Sequence, residues 1–197
     1  ATIHATEHGR YNGIYTEEQR YINGKEQLLA YDAWRIIVCT DYMRREVERA
    51  LASPWDKIDV IYNGIRPEKK HRRQDFDYWH FRRQYADDDE KIVYYVGRMT
   101  YEKGVSVMLN AAPKVLWEMG GRAKFVLVGG GNTEALKRQA WDLGIWHKCY
   151  FTGFMYDDFL DKFQAVADCA VFPSLYEPFG IVALESFAAR VPVVVSD

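Results

Sequence analysis

The sequence predicts an α/β fold built on a doubly wound parallel sheet. Three observations carry that prediction. Short, continuous apolar runs recur along the chain; they are too short for helices and rich in β-branched and aromatic residues, as suits strands covered on both faces. Segments with helical apolar spacing fall between the runs, and this alternation favours parallel strands joined by right-handed crossovers. The composition is that of an ordinary globular protein, with 48% hydrophobic and 27% charged residues in a chain of 197.

In chain order, Thr2-Ile3-His4 reads as a strand end. Glu7 to Ala33 opens on Gly9-Arg10-Tyr11-Asn12-Gly13 and continues as a charged, amphipathic stretch through Leu28, Leu29, Tyr31 and Trp34, so a loop followed by a helix is expected. Ile36-Ile37-Val38-Cys39 and Val60-Ile61-Tyr62 read as strands on either side of a helix over roughly residues 41–52. The turn signal Asn63-Gly64 follows. Arg66 to Glu90 is polar, basic at Lys69-Lys70-His71-Arg72-Arg73 and acidic at Asp87-Asp88-Asp89. It reads as an interdomain connection and the lead-in to a second domain, its charges solvated rather than gathered into a polyanion site.

The alternation then resumes. Ile92-Val93-Tyr94-Tyr95-Val96 is followed by Val105, Met108, Leu109, Ala112, Val115, Leu116 and Met119, which share one helical face, with Pro113 expected to kink the helix. Phe125-Val126-Leu127-Val128, Cys149-Tyr150-Phe151, Ala170-Val171-Phe172 and Val193-Val194-Val195 are further strands. Helices are expected over residues 133–143, 157–166 and 181–190. The expected division is residues 1–66, the end of a preceding domain with its hinge, and residues 67–197, a ligand-binding domain cut short at its end.

Several function classes are excluded or disfavoured. With 26 basic and 28 acidic side chains the net charge is −2, against the basic excess that coating nucleic acid needs. Cys39, Cys149 and Cys169 form no metal-ligand spacing and read as buried free thiols of a reducing, cytoplasmic compartment. No apolar run reaches the ~20 residues of a membrane span, and Ala1 to Arg10 lacks the apolar core of a signal peptide. Asp75-Phe76-Asp77 has the look of a cation-binding pair but lies in the polar connection, so no metal site is expected. Both ends look cut within a larger enzyme, and a bare strand edge there invites homodimerisation.

In open α/β sheets ligands bind beyond the carboxyl ends of the strands. After Val96 come Gly97-Arg98-Met99-Thr100-Tyr101-Glu102-Lys103-Gly104, two cations in a loop that opens a helix, as a diphosphate site requires. By position alone a solvated loop accounts for them slightly better. Gly129-Gly130-Gly131 after Val128 lets a nucleotide lie against backbone, but Glu134 occupies the last position of a dinucleotide fingerprint, and a bare tight turn is an equal account. After Phe172, Glu177 stands in a loop and Glu185 eight residues on, within a nearly apolar helix, while the amides near Phe179, Gly180 and Ile181 are free to face an anion. A carboxylate at Glu185 needs a partner, and a ribose diol satisfies it.

Together these pieces resemble the donor-binding half of a family 4 glycosyltransferase of GT-B fold. The matching segments are Val96-Gly97-Arg98-Met99 with Glu102-Lys103-Gly104, Leu127-Val128-Gly129-Gly130-Gly131, Phe151-Thr152-Gly153-Phe154, and Pro173-Ser174 with Glu177-Pro178-Phe179-Gly180 and Glu185, the family's E-x7-E motif. The resemblance covers roughly residues 35–197, and His4-Ala5-Thr6-Glu7 is similar to glycogen and starch synthases. It implies a Rossmann-like donor domain and a retaining, metal-independent hexosyl transfer from a nucleotide-diphosphate sugar, of the UDP- or ADP-glucose type, to a saccharide acceptor, with no cofactor. It assigns Arg98, Lys103 and the amides of Phe179, Gly180 and Ile181 to the diphosphate, and Glu185 to the ribose. Gly153 and Phe154 fall to the base, Glu177 to the sugar ring, and His4 to placing the sugar. The glycines at 97, 129 and 130 let the donor approach the backbone. Whether Glu177 is a nucleophile, or the reaction runs on the front face with the leaving phosphate taking the acceptor proton, stays open. Competing readings are a nucleotide-sugar epimerase of GT-B architecture and a non-catalytic nucleotide-binding module. A flavodoxin- or response-regulator-like domain needs a flavin loop or acidic pocket that the sequence lacks.

Overall fold

The computed structural model describes residues 1–69 and 76–196. The basic run from Lys70 to Arg73 and Asp75 of the Asp75-Phe76-Asp77 pair lie outside the described residues, as does Asp197. The elements are β1 (Thr2–Ile3), α1 (Glu7–Tyr11), α2 (Glu17–Asp32), β2 (Ile36–Val38), α3 (Asp41–Ala50), β3 (Ile58–Val60), α4 (Tyr78–Arg82), β4 (Lys91–Val96), α5 (Val105–Glu118), β5 (Ala123–Val128), α6 (Thr133–Asp142), β6 (Cys149–Gly153), α7 (Asp157–Val166), β7 (Cys169–Phe172), α8 (Ile181–Ala188) and β8 (Val193–Val195). They form two compact units, Ala1–Gly64 with Tyr176–Gly180, and Ile65–Leu175 with Ile181–Asp197.

The first unit is a three-stranded parallel sheet in the order β1-β2-β3. Ile36, Val38, Met43, Val47 and Ile58 form its core, each at most 1% exposed. The expected strand at Val60-Ile61-Tyr62 begins two residues earlier, at Ile58. Asp59 disguises it: its carboxylate points outward to pair with Arg35, while Ile61 and Tyr62 are exposed. The segment after Thr6 is a short helix rather than a loop, because the Thr6 hydroxyl caps the Gly9 amide at 2.9 Å. Thr16 and Gln19 form a capping box that starts α2. Leu28, Leu29, Tyr31 and Trp34 are all exposed, so their apolar spacing does not mark an inward face.

The second unit is a five-stranded parallel sheet in the order β6-β5-β4-β7-β8. Its central strands are buried on both faces, which is why they read as unbroken apolar runs. Tyr94, Phe125, Leu127, Leu109 and Phe163 are at most 2% exposed. α5 is continuous through Pro113; proline has no N–H, so the carbonyl of Leu109 lacks its usual helical donor. The polar stretch before β4 joins this core through α4. Phe81 packs edge-on against Phe163, and buried Arg82 donates to Val166 O, Glu90 O and Asp168 Oδ2 at 2.6, 2.6 and 2.9 Å. All three cysteines are free thiols; Cys39 is buried, whereas Cys149 and Cys169 are only partly so.

Candidate functional site

Each predicted donor-site loop of the second unit leaves the carboxyl end of a strand. Three of them are laced together through backbone. Gly97 N–H donates to Val128 O at 3.0 Å, Met99 N–H to Gly130 O at 2.8 Å, and Gly129 N–H to Gly153 O at 2.9 Å. The glycines permit this approach. Gly129, at φ 144°, lies so close to Gly97 O that a Cβ there would stand 1.8 Å from it. A Cβ on Gly104, at φ 64°, would stand 1.8 Å from Pro173 O. Gly130 differs, because nothing lies within 4 Å of its Cβ position.

On this frame the Arg98 guanidinium is presented outward. The Arg98 carbonyl accepts from the Tyr95 hydroxyl at 2.9 Å, which fixes the backbone. Its guanidinium is 65% exposed and pairs with the far more buried Glu102 at 3.1 Å. The Arg98 end of this pair is open to solvent, so a diphosphate can reach the guanidinium. Lys103 closes the single turn Tyr101–Lys103, and Gly104 then opens α5 with no side-chain cap. Of the first-turn amides of α5, Val107 N–H donates to Gly104 O at 2.8 Å, while those of Val105 and Ser106 take no side-chain cap, and such a helix start favours an anion. Beside them lies a groove of about 510 Å³ lined by Met99, Thr100, Gly104, Val105, Asn132 and Leu175 among others. Thr100 Oγ1 is buried there with no hydrogen-bond partner among the described residues.

At the end of β6, Gly153 takes φ 75° and Phe154 projects 74% exposed, with Tyr156 edge-on at 5.4 Å. Tyr156 is a second exposed aromatic here, three positions beyond the strand-end glycine. After β7, Leu175 N–H donates to Glu102 O at 2.8 Å, which ties this connection to the Arg98 loop. Glu185 is half-buried within α8.

The E-x7-E segment divides between the units. Tyr176–Gly180, with Glu177, Phe179 and Gly180, belongs to the first, while Ile181 and Glu185 belong to the second. Glu177 is exposed, and Gly180 at φ 82° turns the chain beside it. His4 follows β1 and is also exposed. The structure thus brings Gly97, Arg98, Gly129, Gly130 and Gly153 together at one sheet edge, with Lys103 and Phe154 on the same edge loops. It carries His4 and Glu177 on the other unit. Among the described residues no three His, Cys, Asp or Glu side chains gather as a metal site would need.

This architecture is that of GT-B glycosyltransferases. The Anabaena protein Alr3699/HepE, solved in complex with UDP and glucose, matches with a TM-score of 0.80 over 98% of this chain and 52% of that one, at 21% identity. Residues 77–197 match the family described as glycosyl transferases group 1, and residues 1–69 match Glycosyltransferase Family 4; the chain belongs to the group 1 glycosyl transferases. An uncharacterized glycosyltransferase of Methanocaldococcus jannaschii is 41% identical over 99% of this chain and 50% of its own length. Glycogen synthase of Mycobacterium tuberculosis H37Rv is 32% identical over all of this chain and 46% of its own. The chain spans about half the length of these relatives. Among the described residues no helix is long and apolar enough to cross a membrane.

Proposed function

We propose that this chain carries the donor-handling machinery of a retaining glycosyltransferase that moves a hexose from a nucleotide-diphosphate sugar, of the UDP- or ADP-glucose type, to a saccharide acceptor such as a glucan. One observation carries the reading: the exposed Arg98 guanidinium and the uncapped start of α5 share one sheet edge, on a frame of backbone-laced glycine loops. The names of the relatives and the UDP bound in a structural neighbour support it.

In this reading Arg98 and Lys103 hold the diphosphate with the start of α5, Glu185 takes the ribose diol, and Phe154 lies against the base. Glu177 and His4 are the residues assigned to the sugar. As the bond from the anomeric carbon to phosphate breaks, its electron pair passes to the phosphate oxygen. Negative charge grows there, and preset cations and amides stabilise it more than they stabilise the bound donor. The acceptor oxygen bonds to the anomeric carbon and its proton passes to the leaving phosphate, while the Glu177 carboxylate opposes the positive charge on the ring. In this reading the cations take the part that a metal plays elsewhere, and the transfer is metal-independent.

The test is turnover of UDP-glucose, ADP-glucose and GDP-mannose with a maltooligosaccharide acceptor, the product anomer being read by proton NMR. An α-linked product from an α-linked donor is expected. A β-linked product, or a free epimerised sugar nucleotide, would sink the proposal.

A further inference from the structure

The turn that bears Glu177 is held at both ends by one helix. Pro178 O accepts from Thr40 Oγ1 at 3.0 Å, where Thr40 also caps α3 by accepting from Met43 N–H at 3.1 Å. On the other side of Glu177, the Tyr176 hydroxyl donates to Glu46 Oε1 at 2.7 Å. The same oxygen accepts from Thr6 Oγ1 at 2.6 Å, and Thr6 N–H donates back to the Tyr176 hydroxyl at 3.3 Å. These three bonds close a ring. Thr6 is fully buried and Tyr176 is 7% exposed, while Glu46 is half-buried. The tyrosine ring is seated against α1 so closely that a Cβ on Gly9 would stand 2.5 Å from three of its atoms.

We propose that Glu46 is a positioning residue, whose single carboxylate oxygen, by holding Tyr176 and Thr6 together, fixes the Glu177 turn against the strand end that presents His4. Thr6 stands two residues beyond His4 and Tyr176 one residue before Glu177, so the ring couples the two groups assigned to the sugar. The inference rests on the proposed function for its consequence and on the ring alone for its geometry. A buried hydroxyl that loses its acceptor must find another or leave the core. Either course shifts Glu177, and misplacing a reacting group by about 1 Å costs on the order of 100-fold in rate.

Both bonds end on the same oxygen, which supplies the control. Glu46→Gln keeps a carbonyl oxygen at that position, whereas Glu46→Ala removes it, and Tyr176→Phe removes the shared hydroxyl. The first arm is amide hydrogen exchange on the 197-residue chain. Glu46→Ala and Tyr176→Phe should speed exchange in the peptide spanning residues 174–181 and leave the β4 and β5 peptides unchanged, while Glu46→Gln should stay near wild type. Unchanged protection in Glu46→Ala would overturn the ring's role. The second arm is kinetics, with kcat expected to fall on the order of 10- to 100-fold in Glu46→Ala and to recover in Glu46→Gln, at an unchanged nucleotide Kd. A parallel loss of nucleotide affinity, or wild-type kcat in Glu46→Ala, refutes the positioning role. A wild-type protein that turns over no sugar nucleotide refutes the reading beneath it, and the exchange arm still judges the ring.

Discussion

Gly104 joins the loop of Arg98 and Lys103 to the start of α5, and replacing it with alanine tests whether that junction governs both stability and donor binding. Two costs add. The residue takes φ 64°, and a side chain in the left-handed region costs about 1–2 kcal/mol. The new Cβ would also stand 1.8 Å from Pro173 O. That atom is backbone in the connection after β7, tied to the same loop by the hydrogen bond from Leu175 to Glu102, and overpacking of this kind costs about 1–3 kcal/mol. The sum of about 2–5 kcal/mol corresponds to a fall in Tm on the order of 10 °C for a chain of this size. Gly130→Ala is the internal control, since nothing lies within 4 Å of its Cβ position and its backbone is not left-handed. Calorimetric melting and nucleotide titration of both variants are the assays. Gly104→Ala should melt early and bind nucleotide weakly or not at all, with Gly130→Ala close to wild type in melting. Equal melting of the two variants would refute the close-approach argument.

Other outcomes follow from the same structure. Arg82→Met should cost about 3–5 kcal/mol in urea unfolding, because it leaves the Asp168 carboxylate and two carbonyls without their buried donor. Burial raises the Asp168 pKa, but the Ile92 amide, Lys91 and Arg82 outweigh it and hold the group below its ordinary 3.8. Its stabilisation is therefore complete above the unfolded value and is lost as pH falls through the folded one, below about pH 4. Wild type should accordingly lose more stability between pH 7 and pH 3 than Asp168→Asn, and equal losses would contradict the assignment. Phe154→Ala should weaken nucleotide binding by about 1–3 kcal/mol, the worth of one stacked base, with little change in Tm; unchanged affinity removes Phe154 from the base site. In the full-length enzyme Glu177→Ala should lower turnover while nucleotide affinity holds, and retained turnover would show that the carboxylate is not needed.

Much of the fold was legible because the second unit buries its strands on both sides. Ile92–Val96 and Phe125–Val128 announce themselves as unbroken apolar runs, and the face carrying Val105, Met108, Leu109 and Ala112 is buried in α5. What misled was local chemistry with a distant cause. Asp59 sits inside a strand because Arg35 meets it from just before the neighbouring strand. Gly9 suggests a loop, yet it lies in a helix whose start is fixed by Thr6 and whose surface must admit the Tyr176 ring. The polar stretch before β4 contributes Phe81 and Arg82 to the core, because its apolar residues are few and well placed. The strand-end motifs could be found by their order along the chain. The ring of Thr6, Glu46 and Tyr176 could not, since Tyr176 stands 130 residues from Glu46 and no local pattern links them.

The central claim, that the second unit holds a nucleoside diphosphate through Arg98 and its neighbours, is tested most directly by calorimetric titration of the 197-residue chain with UDP, ADP and GDP, alongside Arg98→Ala. The account predicts that one of the three binds, and that the substitution weakens it by about 1.5–3 kcal/mol, the worth of a hydrogen bond to a charged group. Binding that ignores the substitution, or no binding by any of the three, would contradict it.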